Sequence, residues 1–253
     1  MTDFTGYKTF ARIFIWFVFI YVVLFQFIVP YNPIFPAPSI MLETLPDLFS
    51  KYRFASALGF TLTAVLFIPI GGFACFYFTR VPVIKFFLKY DLTRWLPALF
   101  KFFPVIFFVF ILAIWTGDSF IGEVVALLLV AGFNQKIAMS KKVREVPKHF
   151  YLFAKSAGMS DNEIYGKVYG KLLLPYAFEK IGELFFAGWM YAFVYEIVSG
   201  NYGVGAIFYT AIKYGDLSAF FLVLLIMIIV IYLTGLVYKT IQYKVVRWIP
   251  DEF

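Results

Sequence analysis

LSAFFLVLLIMIIVIYLTGLVY, residues Leu217 to Tyr238, runs for 22 residues without one charged side chain. About 20 apolar residues at a rise of 1.5 Å cross the roughly 30 Å hydrocarbon core of a bilayer, so this stretch reads as a transmembrane helix. Working back toward the N-terminus, Ile181 to Ser199, Phe120 to Ile137, Ala55 to Phe78 and Phe10 to Val29 are likewise mostly apolar over about membrane length, with few charged residues in them. Trp95 to Trp115 is interrupted by Pro97, Lys101 and Pro104, but the run from Val105 to Trp115 is too apolar to leave in water. The fold class expected is therefore all-α, a polytopic membrane bundle of six transmembrane helices forming one domain over residues 1–253.

Composition agrees and excludes other classes. Of the 253 residues 62% are hydrophobic, 23% aromatic and 15% charged, and the mean hydropathy is +0.85. Such a chain is neither disordered nor a soluble domain. One cysteine, Cys75, cannot staple a secreted fold. The net charge of +7 does not call for nucleic acid. With six spans and an inside N-terminus, all of the 22 Lys and Arg except Lys51, Arg53 and Lys213 fall on inside segments, which orients both termini to the cytoplasm. The first apolar run is long for a signal peptide, and Pro30-Tyr31-Asn32-Pro33 stands where a small-residue cleavage site belongs. Beyond it, Ile40 to Phe49 reads as a short outer interfacial helix or a plain connecting loop.

The largest polar stretch, residues 138–174, reads as a cytoplasmic loop of two helices around a glycine. Tyr151 to Ala157 is a helical run closed by Gly158, which accepts the left-handed cap conformation without a Cβ clash. Ser160-Asp161-Asn162-Glu163 then has the form of a capping box: the Ser160 hydroxyl accepts from the Glu163 amide while the Glu163 carboxylate reaches back. Tyr151, Leu152 and Phe153 are expected to be exposed, giving this loop an apolar contact surface.

Groupings that would do catalysis are missing. The single histidine, His149, reads as a solvated loop residue, and neither a metal-ligand spacing nor a phosphate-binding Gly-Lys-Ser/Thr loop occurs. Among acidic residues near the spans, Glu179, Glu183 and Glu123 are expected to reach the interface. Glu196 lies deeper, and its reading stays divided between packing or gating and interfacial solvation. Gly188 and Ala192, four apart, form a small-residue notch along which another helix can approach, expected to serve pairing with a second subunit.

Several motifs in order carry a resemblance. Ala154-Lys155-Ser156-Ala157-Gly158-Met159-Ser160 before the penultimate span resembles the EAA loop of type I ABC importer permeases. Pro36-Ala37-Pro38-Ser39, Trp115-Thr116-Gly117, Arg144-Glu145-Val146-Pro147, and Glu196 followed by Gly203 and Gly205 are similar to motifs of the nitrate/taurine/alkanesulfonate-like members. Leu152 and Phe153 stand where that family has Glu and Ala, and Lys171 where it has the first of two prolines, the second being Pro175.

The resemblance implies a permease subunit of the cytoplasmic (inner) membrane of a prokaryote, moving a small anion, sulfonate or vitamin-precursor-like solute inward by alternating access. It implies ATPase subunits docked on Tyr151, Leu152, Phe153, Ala154, Ala157, Gly158, Ser160 and Glu163, with ATP and Mg bound by the ATPase and no cofactor on this chain. It also implies a second permease subunit, identical or similar, and an extracytoplasmic binding protein. Helix packing or gating is the role expected of Glu196, Gly203 and Gly205, which match the family motif, and of Gly188 and Ala192 from their spacing. A self-contained channel or secondary transporter would need polar midplane residues or internal repeats, which are not evident. An integral-membrane enzyme would need the missing His, Cys and acidic clusters.

Overall fold

The computed structural model describes residues 5–32, 34–89 and 105–245, and every regular element among them is helical. Helix α1, Thr5–Val22, runs on as a π-helical segment, Val23–Ile28. Then come α2 (Pro38–Glu43), α3 (Leu45–Ser50), α4 (Phe54–Lys89), α5 (Val105–Thr116), α6 (Phe120–Glu145) and α7 (Lys148–Ser156). The described residues finish with α8 (Asp161–Ser199), α9 (Gly203–Tyr214) and α10 (Leu217–Val245). Five helices among the described residues are long and apolar enough to cross a membrane: Gly6–Ile28, Phe54–Phe86, Phe120–Glu145, Asp161–Ser199 and Leu217–Lys244. The expected span Trp95 to Trp115 lies partly outside the described residues. Its described remainder, α5, has 12 residues and is about 18 Å long, short of the hydrocarbon core.

Three elements differ from expectation. The second helix of the polar loop does not end before span five, since α8 is continuous over 39 residues and passes a π-helical segment, Ile164–Tyr169, and Pro175 without breaking. At about 58 Å it is nearly twice the hydrocarbon thickness, so its first turns lie outside the membrane. The outer helix Ile40 to Phe49 is two short helices meeting at Thr44, because Pro46 in the first turn of α3 has no N–H to continue the ladder. Helix α9 is an element that the hydropathy pattern does not announce.

The chain forms two compact units, and α4 and α8 each contribute to both. One comprises the residues up to Thr61 with Glu196–Val245. Its buried interior includes Met41, Leu48, Phe54, Val204, Ile207, Val223 and Met227. Tyr21, Phe25, Phe35 and Phe221 form a row of ring contacts with centroids 4.8, 5.0 and 5.4 Å apart, the middle pair stacked and the outer two tilted. The Asp216 carboxylate caps α10 by accepting from Ala219 N–H at 3.0 Å, and it takes a second bond from the Tyr52 hydroxyl at 2.7 Å. Burial, then the bond to Asp216, pushes the Tyr52 phenol up to about 12. Ile13, Ile15, Trp16 and Phe17 of α1 are exposed, as lipid-facing positions are.

The other unit spans Leu62–Tyr195. Close helix approach builds it: a Cβ on Gly188 would stand 2.1 Å from Ile68 Cδ1, and one on Gly71 would stand 2.3 Å from Leu128 Cδ2. Small residues at crossings let backbones meet where water supplies no driving force. Tyr195, fully buried, shares a 2.6 Å hydrogen bond with Thr116 Oγ1 and reaches Gly117 O at 3.2 Å, fastening α8 to the α5–α6 turn.

Candidate functional site

The polar loop folds as a tight hairpin between α7 and the start of α8. Gly158 has φ +82°, and no atom within 4 Å would meet its Cβ, so only the backbone conformation requires glycine. Met159 N–H bonds to Ala154 O at 3.1 Å and Gly158 N–H to Lys155 O at 3.0 Å, the paired bonds of a Schellman stop. The capping box follows at once. Glu163 N–H donates to Ser160 Oγ at 3.4 Å, and Ser160 N–H and Oγ donate to Glu163 Oε2 at 3.1 and 2.9 Å. Lys167 holds the other carboxylate oxygen at 2.9 Å.

A further clamp joins the two arms. Asp161 Oδ1 accepts from Tyr151 Oη at 3.0 Å and from Lys155 Nζ at 2.8 Å. Through those bonds Asp161 raises both the phenol and the ammonium above their ordinary values. The contacts of Asp161 six and ten residues back follow from the Gly158 reversal.

Beneath the hairpin lies an apolar base. Ala154, Ile164, Tyr169, Leu173 and Ala177 cluster with Phe76 and Ile84 of α4 and with Met139 and Val143 of α6. The expectation that Tyr151 is exposed is corrected: it is half-buried, packs against this cluster and bonds to Asp161. Ala154 is likewise buried, at 4% exposure. Leu152 and Phe153 are 65% and 77% exposed, and Ala157, Gly158, Ser160 and the neighbouring Lys155 and Ser156 are also on the surface. The hairpin thus presents two bare apolar side chains at a fixed attitude.

Glu196 belongs to the other unit and is fully buried. Its Oε1 accepts from Thr61 Oγ1 at 2.6 Å and its Oε2 from Gly205 N–H at 2.7 Å. Thr61 Oγ1 in turn accepts from Val204 N–H at 2.9 Å. These are the second and third amides of α9, whose own N-cap, Tyr202, supplies no side-chain bond. A carboxyl from α8 and a hydroxyl from α4 therefore cap α9 jointly. Gly203, at φ +78°, closes the ring, and a Cβ there would lie 2.1 Å from Glu196 Cδ and Oε1. Interfacial solvation of Glu196 is excluded by this burial; Glu196, Gly203 and Gly205 come together in a packed ring, and Thr61 is the member that sequence reasoning missed.

Gly188 and Ala192 are both buried within their own unit, and Ile68 fills the notch at Gly188. The notch therefore packs this chain's helices and is not an open surface for a second subunit. Glu123, expected at the interface, has no exposed surface. Glu179 and Glu183 are exposed as expected, with Lys180 paired to Glu183, and His149 is exposed against the Phe150 ring. Among the described residues no three His, Cys, Asp or Glu side chains are grouped as a metal ion needs.

The family described as "Binding-protein-dependent transport system inner membrane component" matches residues 68–249, well over half of the chain. No curated protein and no solved structure matches.

Proposed function

Because the chain belongs to the binding-protein-dependent transport system inner membrane components, the permeases of ABC transporters, we propose that it forms the membrane path of an ATP-driven importer and that the α7–α8 hairpin is the seat of its ATPase. The observation that carries this reading is the hairpin itself. A glycine stop, a capping box and the Asp161 clamp hold Leu152 and Phe153 on the surface, 65% and 77% exposed. Burying two such side chains in a partner's groove contributes roughly 1.5–3 kcal/mol each. Nothing in a lone loop repays that exposure.

In this mechanism ATP and Mg reside on the separate ATPase, and closure of its dimer moves the hairpin. The apolar base formed with α4 and α6 carries the motion into the spans. Coupling requires the ATPase to bind one permease state more tightly than the other, since equal affinity shifts no equilibrium. An extracytoplasmic binding protein delivers the solute, a small anion, sulfonate or vitamin precursor, and a second permease subunit completes the path. The setting is a prokaryotic inner membrane with both termini cytoplasmic. Uptake measured in cells with and without a co-expressed ATPase tests the reading. Uptake that disappears with the ATPase supports it, and equal uptake in both assigns the chain to self-contained channels.

A further inference from the structure

Between α1 and α10, within the unit formed by the residues up to Thr61 and Glu196–Val245, lies a cavity of about 230 Å³. Phe17, Ile20 and Leu24 line it on one side and Leu225 on the other, and Phe35 and Met41 complete the wall. No charged residue lines it, and Tyr21 brings the one hydroxyl. That hydroxyl is spent on Pro36 O at 2.8 Å and Met41 Sδ at 3.7 Å. The segment carrying Phe35 and Met41 is itself pinned: Asn32 Oδ1 accepts from Phe35 N–H at 2.9 Å and Gln26 Oε1 from Ser39 N–H at 3.1 Å. Met41 is 3% exposed, whereas Phe17, Ile20 and Leu24 are 58%, 53% and 38% exposed. The cavity therefore runs from a buried methionine to the lipid-facing side of α1.

We propose that this cavity takes one alkyl chain of a membrane phospholipid. Water is a poor occupant, because it needs about two to four polar partners and this wall has none to spare. An apolar cavity of about 150 Å³ is enough to take up benzene, so this one has room for a segment of alkyl chain. Left empty, its lining would forfeit dispersion contacts on one side. The mouth fixes the occupant. Phe17, Ile20 and Leu24 belong to an apolar helix of membrane length, and what surrounds such a helix is acyl chain. With no charge in the wall to hold a headgroup, recognition rests on the chain. Leu24 and Phe25 belong to the π-helical segment Val23–Ile28, a form that occurs mostly as short insertions at functional sites. A chain seated here packs against α1, Met41 and α10 together and so holds α1 to its unit.

The test uses the full chain reconstituted in phosphatidylcholine vesicles. A trace of the lipid carries a photoreactive diazirine midway along one chain, and labelled residues are located by peptide mass mapping. Met41 is the reporter, because at 3% exposure only a chain inside the cavity reaches it. The proposal expects label at Met41 in addition to the ordinary lipid contacts at the exposed Ile13 and Trp16, and equal labelling with a phosphatidylglycerol headgroup. Val18→Phe and, independently, Leu225→Phe narrow the cavity and should lose the Met41 label while keeping the other two. Leu233→Phe, at an exposed position of α10 outside the cavity, should keep all three. Label confined to Ile13 and Trp16, Met41 label with only one headgroup, or folded Val18→Phe and Leu225→Phe variants both labelled at Met41 like wild type would each overturn it. No Met41 label together with an Ile20→Cys disulfide between two copies would overturn it too, by giving the cavity to a second copy.

Discussion

Replacing Gly203 by alanine separates two reasons for a glycine, because the structure holds a control for one of them. At φ +78° an L-residue costs about 1–2 kcal/mol. Gly158, at φ +82°, carries the same backbone cost with no atom within 4 Å of its Cβ, so Gly158→Ala should lose about 1–2 kcal/mol and no more. At Gly203 the new Cβ would lie 2.1 Å from Glu196 Cδ and Oε1 and 2.6 Å from Oε2, so the carboxyl group must move. That breaks its bond to Thr61 Oγ1 or to Gly205 N–H, each contributing about 1.5–3 kcal/mol if the carboxyl is charged. Gly203→Ala should therefore lose about 2.5–5 kcal/mol with one bond broken. Equilibrium unfolding in mixed micelles reads both values. In a Glu196→Ala background the cost of Gly203→Ala should fall to the backbone value of about 1–2 kcal/mol. Equal costs at Gly158 and Gly203, or a Gly203→Ala cost unchanged by removing Glu196, would refute the ring as the cap of α9.

Gly188→Leu should destabilise the isolated chain itself, because Ile68 Cδ1 occupies the space of the new side chain. An unfolding midpoint equal to wild type, with only subunit pairing lost, would return the notch to an intersubunit role. Tyr52→Phe should lower the midpoint at neutral pH by removing the tie to Asp216. The folded phenol is raised, so its contribution is full below about pH 10, fades as pH rises through about 12, and wild type and variant should converge over that window; a constant gap would speak against it. For topology, a cysteine at the exposed Ser156 should resist an impermeant outside reagent and one at the exposed Lys51 should react.

The spans were legible because mostly apolar runs of membrane length admit few readings, and the hairpin because Gly158, Ser160 and Glu163 act locally. Helix α9 was hidden for the opposite reason. Its cap residues, Thr61 and Glu196, come from 142 and seven positions before Gly203, so no signal adjoins its start. Gly188 and Ala192 announced a notch, but sequence does not say which helix enters it, and Ile68 proved to be the occupant. Tyr151 could be assigned to a helix but not to a face. Its partner Asp161 lies across a reversal whose geometry depends on φ at Gly158.

The central claim, that the α7–α8 hairpin seats the ATPase, is tested most directly by a photo-crosslinking amino acid placed at Phe153 in membranes that contain the co-expressed ATPase. The account predicts a crosslink to the ATPase from position 153, none from Lys51 or Lys213, and a yield that changes when ATP is added. No ATPase crosslink from position 153 while the complex still forms, or one from position 51 or 213, would contradict it.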